Sequence, residues 1–363
     1  MPRPAGPAAG RPGRRAVHGR LRDSRPGPPD RSGRVDPTVN AAAPTAAQVT
    51  VPGIEARWPV GTVQSVTPLA GGSVNAAYRV QAQAGVFHLR VYRDPRLDRA
   101  RREHAAVRVA RAAGIPTPRV LPTHTGDTVT DLNGHWAALF EVTPGAPIPR
   151  AHLTPGHAES LGAFLADLHG RLPHSVDFPV SVLGPPASAE ATVQELRQIE
   201  AAILALPHPD PVDGWALART RQRLTHLRSA PDDAPVADHL PRRFLHGDYH
   251  DGNVFFLGER PAAIIDWEQP RLAPRAWEIV RALHFCFALD TVLGAVFLRA
   301  YRAHQPLAAD ELRAGTELYG ALQERNVWTY RSVYLDGNPA PRAFIRPPPY
   351  RPFPELWREA GLR

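Results

Sequence analysis

The chain of 363 residues contains no lysine: all 43 of its basic residues are arginine. It has one methionine, at position 1, and one cysteine, Cys286. Each absence removes a class of chemistry. Without lysine there is no Schiff-base nucleophile, no pyridoxal-phosphate anchor and no phosphate loop of the G-x-x-x-x-G-K-[ST] type. One cysteine cannot build an internal disulfide framework, a thiolate zinc finger or a protein-held iron–sulfur cluster. Long apolar runs are missing as well. The nearest, Ala282 to Ala300, is interrupted by His284, Asp290 and Arg299 and reads as a buried helix instead of a membrane span. Abundant Ala, Arg, Pro and Gly with few Asn and Ile indicate a GC-rich genome, so codon usage accounts for the missing lysine. What matters is whether a site that ordinarily uses lysine here uses arginine.

The net charge of +8 divides unevenly. Residues 1–50 carry nine Arg against Asp23, Asp30 and Asp36, whereas residues 51–363 carry 34 Arg against 32 acidic residues. The body of the chain is therefore close to neutral, which argues against a nucleic-acid-binding face. With nine Pro, six Gly and no apolar period of 2 or 3.6, residues 1–50 read as a disordered Arg/Pro-rich tail. An idle tail or a wrongly chosen translation start accounts for it. It lacks the apolar stretch of a secretory signal, so a cytoplasmic location is expected.

The remaining residues exceed one small core, and two lobes are expected. Val63–Leu69, Ala76–Gln81 and Val86–Tyr92 alternate apolar and polar residues around glycine-bearing turns, the pattern of an antiparallel meander. A helix is predicted from Pro95 to Ala113, with Asp94 as N-cap and with Gly114 and Pro116 ending it. Strands follow around Thr128–Thr130 and Trp136–Glu141. The apolar period then becomes helical, in Leu161, Phe164, Leu165 and Leu168, in Val193, Leu196, Ile199 and Ile203, in Leu217, Leu224 and Leu227, and in Val280, Leu283, His284 and Phe287. Short strands at Phe244–Leu245, Val254–Leu257 and Ala262–Ile265 interrupt it. The pattern predicts an α+β fold with a β-rich N-terminal lobe (residues 51–143), a mostly helical C-terminal lobe (residues 144–363) and a cleft between them.

The densest polar cluster is His246-Gly247-Asp248-Tyr249-His250-Asp251-Gly252-Asn253, followed by Ile264-Ile265-Asp266-Trp267-Glu268. Strand-like apolar residues border both blocks, as when a rigid scaffold presents a loop. A surface turn also uses Gly, Asp and Asn. Asp248 and Asn253, however, have the spacing at which a kinase catalytic loop holds its base and a magnesium ligand. Asp266 ends an apolar strand, as a second magnesium-binding carboxylate must. Oxygen donors with open positions suit Mg²⁺. Asp248 would accept the proton of a substrate hydroxyl as that hydroxyl attacks the γ-phosphate of ATP. A zinc site made of His246, His250 and Asp266 is the competing reading.

The block His246–Asn253 resembles the H-G-D-x-H-x-x-N catalytic loop of the aminoglycoside phosphotransferase/choline kinase-like family, and Ile265-Asp266-Trp267-Glu268 resembles its metal-binding I-D-[WF]-E. Other segments resemble the family in order. Gly71-Gly72-Ser73-Val74-Asn75 is similar to the loop over the ATP phosphates, and Phe87-His88-Leu89-Arg90 to the third strand, which bears the phosphate-binding cation. Glu103 stands where the next helix supplies that cation's partner. Leu161 to His169 is similar to the helix opening the C-terminal lobe, and Pro274-Arg275-Ala276-Trp277-Glu278 to the segment after the metal site. The resemblance spans about residues 60–335. It implies a bilobal protein-kinase-like fold, ATP and Mg²⁺ as cofactors, Asp248 as base and Asn253 and Asp266 as metal ligands. His246 and His250 would lock the loop by hydrogen bonds.

An arginine fork grips phosphate oxygens bidentately, so Arg90 can take the role of lysine. Arg93 competes for it. Alternation sets Arg90 with His88 and Tyr92, opposite Leu89 and Val91, whereas Arg93 falls at the strand's end. The hinge offering backbone groups to adenine is placed at Phe140, Glu141 and Val142, where the strand pattern gives way to Pro144-Gly145. Acceptor recognition is assigned to the C-terminal lobe, with Trp267, Trp277, Glu324, Asn326, Trp328 and Tyr330 as candidates. Leu322, Asn326 and Tyr330 are expected on one helical face. Acidic residues between 300 and 335 are balanced by arginines, which does not favour a polycationic acceptor. The expected activity is transfer of the γ-phosphate of Mg·ATP to a hydroxyl of a small molecule. Homoserine, sugar and methylthioribose kinases remain open within that class. A Ser/Thr protein kinase on the same fold and a catalytically silent nucleotide-binding protein are the alternatives.

Overall fold

The computed structural model describes residues 49–69, 75–229 and 240–363. The expected tail lies outside them except for Val49 and Thr50, and these two belong to the fold. Thr50 caps helix α1 (Val51–Glu55), its hydroxyl accepting from Gly53 N at 3.2 Å. Val49 is buried with Ile54 and Trp58. Packing thus begins before the expected boundary at residue 50.

Three strands, β1 (Val63–Pro68), β2 (Ala76–Ala82) and β3 (Gly85–Val91), precede helix α2 (Leu97–Ala112), and β4 (Thr130–Leu132) and β5 (His135–Glu141) follow it. They form one antiparallel sheet in the order β1-β2-β3-β5-β4. Alternation sorts its faces. Tyr78, Val80, Leu89, Val91 and Leu139 are buried with Ile54 and Trp58 on one side, while Ala138 and Phe140 join Ala106, Val107 and Ala110 of α2 on the other. Leu89 and Leu139 face each other in register, both fully buried, and each burial is worth about 1.5–3 kcal/mol. Helix α2 starts later than expected, because the Asp94 carboxylate is used elsewhere. It accepts from Arg96 N at 3.0 Å and pairs with Arg96 and Arg99, both at 2.8 Å, leaving Arg96 as an N-cap without a side-chain hydrogen bond.

The helical part runs through β6 (Ala146–Pro147), α3 (Pro155–Arg171), β7 (Ser181–Val182), α4 (Ala189–Leu204) and α5 (Pro211–Ser229). Then come β8 (Arg242–Leu245), β9 (Val254–Leu257), β10 (Arg260–Ile264) and β11 (Arg271–Pro274). Helices α6 (Arg275–Phe287), α7 (Thr291–His304), α8 (Ala309–Arg325), α9 (Trp328–Tyr334) and α10 (Phe353–Ala360) complete it. Leu161, Leu165 and Leu168 of α3 are fully buried, as their spacing requires. Gly162 lets α7 approach α3 closely, since a Cβ there would come within 2.2 Å of Phe297 O. Two small sheets, β10-β9-β6 and β7-β11-β8, hold the polar motifs between their strands. The result is the bilobal α+β architecture expected.

Two helical expectations are corrected. Ala282 to Ala300 is not one helix, because Ala288 (φ 50°) and Leu289 (φ 64°) turn the chain and Asp290 caps α7 by accepting from Leu293 N at 2.9 Å. Asn326 ends α8, so Leu322, Asn326 and Tyr330 do not share a helix. Among the described residues no helix is long and apolar enough to cross a membrane.

Candidate active site

The loop His246–Asn253 joins β8 to β9 and is held from below by α6 and α3. Gly247 has φ 82°, and a Cβ on it would lie 1.9 Å from Gln269 O, so only glycine fits. Its N–H donates to the carboxylate of Glu278, which is fully buried on α6. That carboxylate also lies 2.9 Å from His169 Nε2, and His169 Nδ1 lies 2.8 Å from the Tyr301 hydroxyl. Burial pushes the Glu278 carboxyl up, but His169, His246 and the Gly247 N–H together outweigh it and the carboxylate stays ionised. Burial meanwhile lowers His169, so a neutral imidazole donates to Glu278 and accepts from Tyr301.

The histidines of the loop bind backbone. His246 is fully buried, its Nε2 3.0 Å from Ile265 O, while its Nδ1 accepts from Asp248 N at 3.2 Å. His250 Nδ1 accepts from Gly252 N at 3.0 Å. With both ring nitrogens of His246 engaged, the zinc alternative falls. Asn253 Nδ2 donates to Asp248 O at 3.0 Å and to Asp248 Oδ2 at 3.3 Å. Ile265 N donates to Asn253 O at 2.9 Å, which ties the two motifs together one residue before Asp266. Asp266 itself adopts φ 65°. Arg281 of α6 contacts the Asp248 carboxylate directly, and its side chain lies against the Phe285 ring at 4.3 Å. Burial raises the Asp248 carboxyl, but His250, 3.7 Å away, and Arg281 together hold it well below the usual carboxylate range. Arg281 was not among the candidates from sequence. It stands 33 residues from Asp248, and nothing in its neighbours marks it out.

Arg90 lies at the centre of a second cluster. Its Nη1 is 2.6 Å from Glu103 Oε1 and 3.1 Å from Glu268 Oε1. Glu268 Oε1 also accepts from Asn75 Nδ2 at 2.7 Å, and Tyr92 donates to Glu103 Oε2 at 3.0 Å. Burial works against the charge of Arg90, but Glu103, Tyr92 and Glu268 keep it protonated. Arg93 instead meets Asn75 through its backbone N–H, at 3.3 Å. Oxygens of Glu103, Asp266 and Glu268 lie within 4.8 Å of one another. Burial, then repulsion from Glu103 and Asp266, pushes Glu268 up to about 8. A convergent, all-oxygen set of acids that repel one another fits a hard divalent cation.

Between the five-stranded sheet and this cluster is a cavity of about 260 Å³ lined by His88, Arg90, Phe140, Val142, Ile265 and Asp266, among others. His88 is lowered to about 4 by burial and by Arg90, so its wall is neutral there. Gly71, Gly72 and Ser73 lie outside the described residues. Of the acceptor candidates, Trp267 is core: fully buried, it donates to Thr117 Oγ1 at 3.1 Å and stacks on Phe244. Trp277 is buried beneath Arg271, and Trp328 is exposed beside Phe344. Glu324, Asn326 and Tyr330 line a second cavity.

Residues 65–314 match the model of the phosphotransferase enzyme family. The chain is 28% identical over 305 residues to a homoserine kinase of Methylobacterium sp. (strain 4-46), covering 80% of this chain and 87% of that protein. It is 25% identical to a homoserine kinase of Mesorhizobium japonicum, covering 71% and 77%. An aminoglycoside phosphotransferase structure from Alicyclobacillus acidocaldarius superposes with TM-score 0.55 at 15% identity, covering 88% of this chain and 98% of that one. A spectinomycin phosphotransferase gives TM-score 0.56, also at 15%, covering 86% and 98%. With the family model matching well over half its length, the chain belongs to the phosphotransferase enzyme family.

Proposed function

We propose that the chain moves the γ-phosphate of ATP to a hydroxyl of a small molecule, with Asp248 as the base. The observation that carries this reading is the junction of the two motifs: Asn253 donates to Asp248 and is tied through its backbone to Ile265, next to Asp266. Asp248 is ionised, so it can accept the hydroxyl proton while the oxygen forms its bond to the γ-phosphorus and ADP departs with the bridging oxygen. Its depressed basicity suits a loose transition state, in which the proton is lost late. Arg281 orients that carboxylate. Arg90 would neutralise the nucleotide phosphates, with Glu103 and Glu268 fixing its position. Asn253 and Asp266 would hold Mg²⁺, which when bound supplies charge neutralisation on the phosphate oxygens. His246 and His250 keep the loop's shape, and Gly71, Gly72, Ser73 and Asn75 would cover the phosphates. Phe140 and Val142 would present backbone groups to the base.

Residues 51–143 would thus serve the nucleotide, and residues 144–363 the chemistry and the acceptor. A cytoplasmic site, where ATP and Mg²⁺ are plentiful, accords with this role. The relatives named homoserine kinases make L-homoserine the first acceptor to try.

The test is ADP release with homoserine, choline, hexosamines, methylthioribose and aminoglycosides as acceptors. Asp248→Asn should lower kcat by about 10²–10⁴ while ADP affinity, measured by calorimetry, stays within about twofold. Retention of most of the turnover would remove Asp248 from the mechanism.

A further inference from the structure

The second cavity, of about 270 Å³, lies between α5, the α8–α9 junction and the segment around Tyr350. Arg219, Thr220 and Arg223 of α5, Glu324, Tyr350 and His284 of α6 contribute to its wall. Two cations there are held without a carboxylate. Arg223 is buried and donates to Glu324 O at 2.6 Å and Asn326 O at 2.9 Å. Arg219 donates to the Tyr330 hydroxyl at 3.2 Å and to the carbonyls of Pro347 and Pro349 at 3.1 and 2.9 Å. Both guanidinium groups lie over the Tyr350 ring, at 5.7 and 5.6 Å. Among the described residues, neither has a carboxylate oxygen within 4.0 Å. A charge removed from water in this way favours a bound anion.

Two further atoms in the wall have no hydrogen-bond partner. Thr220 Oγ1 is one, on a residue 1% exposed. Buried helical threonines commonly return their hydroxyl to the carbonyl four residues back, and this one does not. Glu324 Oε1 is the other, its companion oxygen Oε2 lying 3.2 Å from His226 Nε2. Buried polar atoms are nearly always satisfied, and a ligand that satisfies these two recovers what their burial costs.

The cavity connects to the catalytic loop through α6, on which His284 lines its wall. Arg281, in contact with Asp248, precedes His284 by one turn of α6, about 4.5 Å along the axis. Phe285 packs against Arg281 at 4.3 Å, against His284 at 5.4 Å and against His250 at 6.4 Å, bridging the two places. We propose that this cavity is the acceptor site and that it selects a hydroxyl compound with an α-amino-acid head; the assignment rests on the phosphotransferase reading above. The carboxylate of the acceptor meets Arg219, Arg223 and the Thr220 hydroxyl. Its ammonium group donates to Glu324 Oε1, and its hydroxyl end extends along α6 to Asp248. Two guanidinium groups against one carboxylate work against a polycation.

Calorimetric titration of L-homoserine into the full chain tests the site without requiring turnover. Thr220→Val and Glu324→Gln preserve side-chain shape, and thermal melting verifies that they fold. The expected result is binding to the unmodified chain that each substitution weakens about tenfold or more. Homoserinol, which lacks the carboxylate, should bind the unmodified chain at least tenfold more weakly than homoserine, a comparison that needs no variant. Absence of binding by L-homoserine, L-serine and L-threonine alike overturns the proposal, as does affinity unchanged in both variants or equal for homoserine and homoserinol. A failure of the kinase reading looks different, because amino-acid binding would persist while no acceptor in the panel released ADP.

Discussion

Arg90 shows how much one side chain can be asked to carry. It lies between Glu103, which is 2% exposed, and Glu268, and its removal leaves the buried Glu103 carboxylate with the Tyr92 hydroxyl but no cation. Stranding such a charge costs about 3–5 kcal/mol. Arg90→Met should therefore destabilise the chain by about that amount in urea denaturation, and Arg90→Met with Glu103→Leu should regain most of it. Turnover should stay lost in both, which separates the stabilising role of the pair from the proposed phosphate-binding role of the cation; a double variant that still releases ADP on acceptor addition would refute the latter. The family resemblance made one of these partners readable, since it set Glu103 where the helix after the third strand supplies the cation's partner, while alternation set Arg90 opposite Leu89 and Val91. The pairing with Glu268 was not readable, because 178 residues separate the two and only the closed fold brings them together. Arg281 was hidden for the same reason, one arginine among 43.

The elements were legible where a period or a cap marks them, and obscure where tertiary packing overrides local chemistry. The leucines of α3 and the alternation of β2 and β3 have no competing arrangement. Between α6 and α7 no Gly or Pro announces the turn at Ala288 and Leu289. Asp290, read as an interruption, is the cap that starts the next helix. A left-handed backbone costs an alanine about 1–2 kcal/mol, which glycine avoids, although glycine also loses more freedom on folding. Ala288→Gly should therefore stabilise the chain by about 0.5–1 kcal/mol in thermal melting, with turnover unaffected. A lower melting temperature would mean that the Ala288 methyl group contributes packing that outweighs the relief.

At the scale of the whole molecule, the change from alternating to helical period foretold the two-lobed α+β design, and the polar blocks foretold where its loops converge. What remained out of reach was electrostatic, because burial is a property of the completed fold. His88, His104 and His284 are each lowered by burial, to about 4, 3 and 4. The unfolded chain takes up these protons near pH 6.5, whereas the folded molecule resists them. Below that value the unfolded state binds more protons, so stability is full at neutral pH and falls with acidification. Each histidine should cost roughly 2 kcal/mol in urea denaturation between about pH 7 and 5, offset in part by Glu268, which is pushed up to about 8 and works the other way, and a stability that rises on acidification would overturn the histidine account. The guanidinium at position 90 has one more consequence, for how such a protein can be detected. Nucleotide analogues that acylate an amine beside bound phosphates have no target in this cleft, nor on any lysine of the chain. Cys286 is no substitute, since burial pushes its thiol up and out of reach. Surveys of nucleotide-binding proteins that tag a lysine or a thiol beside the nucleotide will pass over this chain, while a dicarbonyl reagent selective for arginine, blocked by bound nucleotide, should register it.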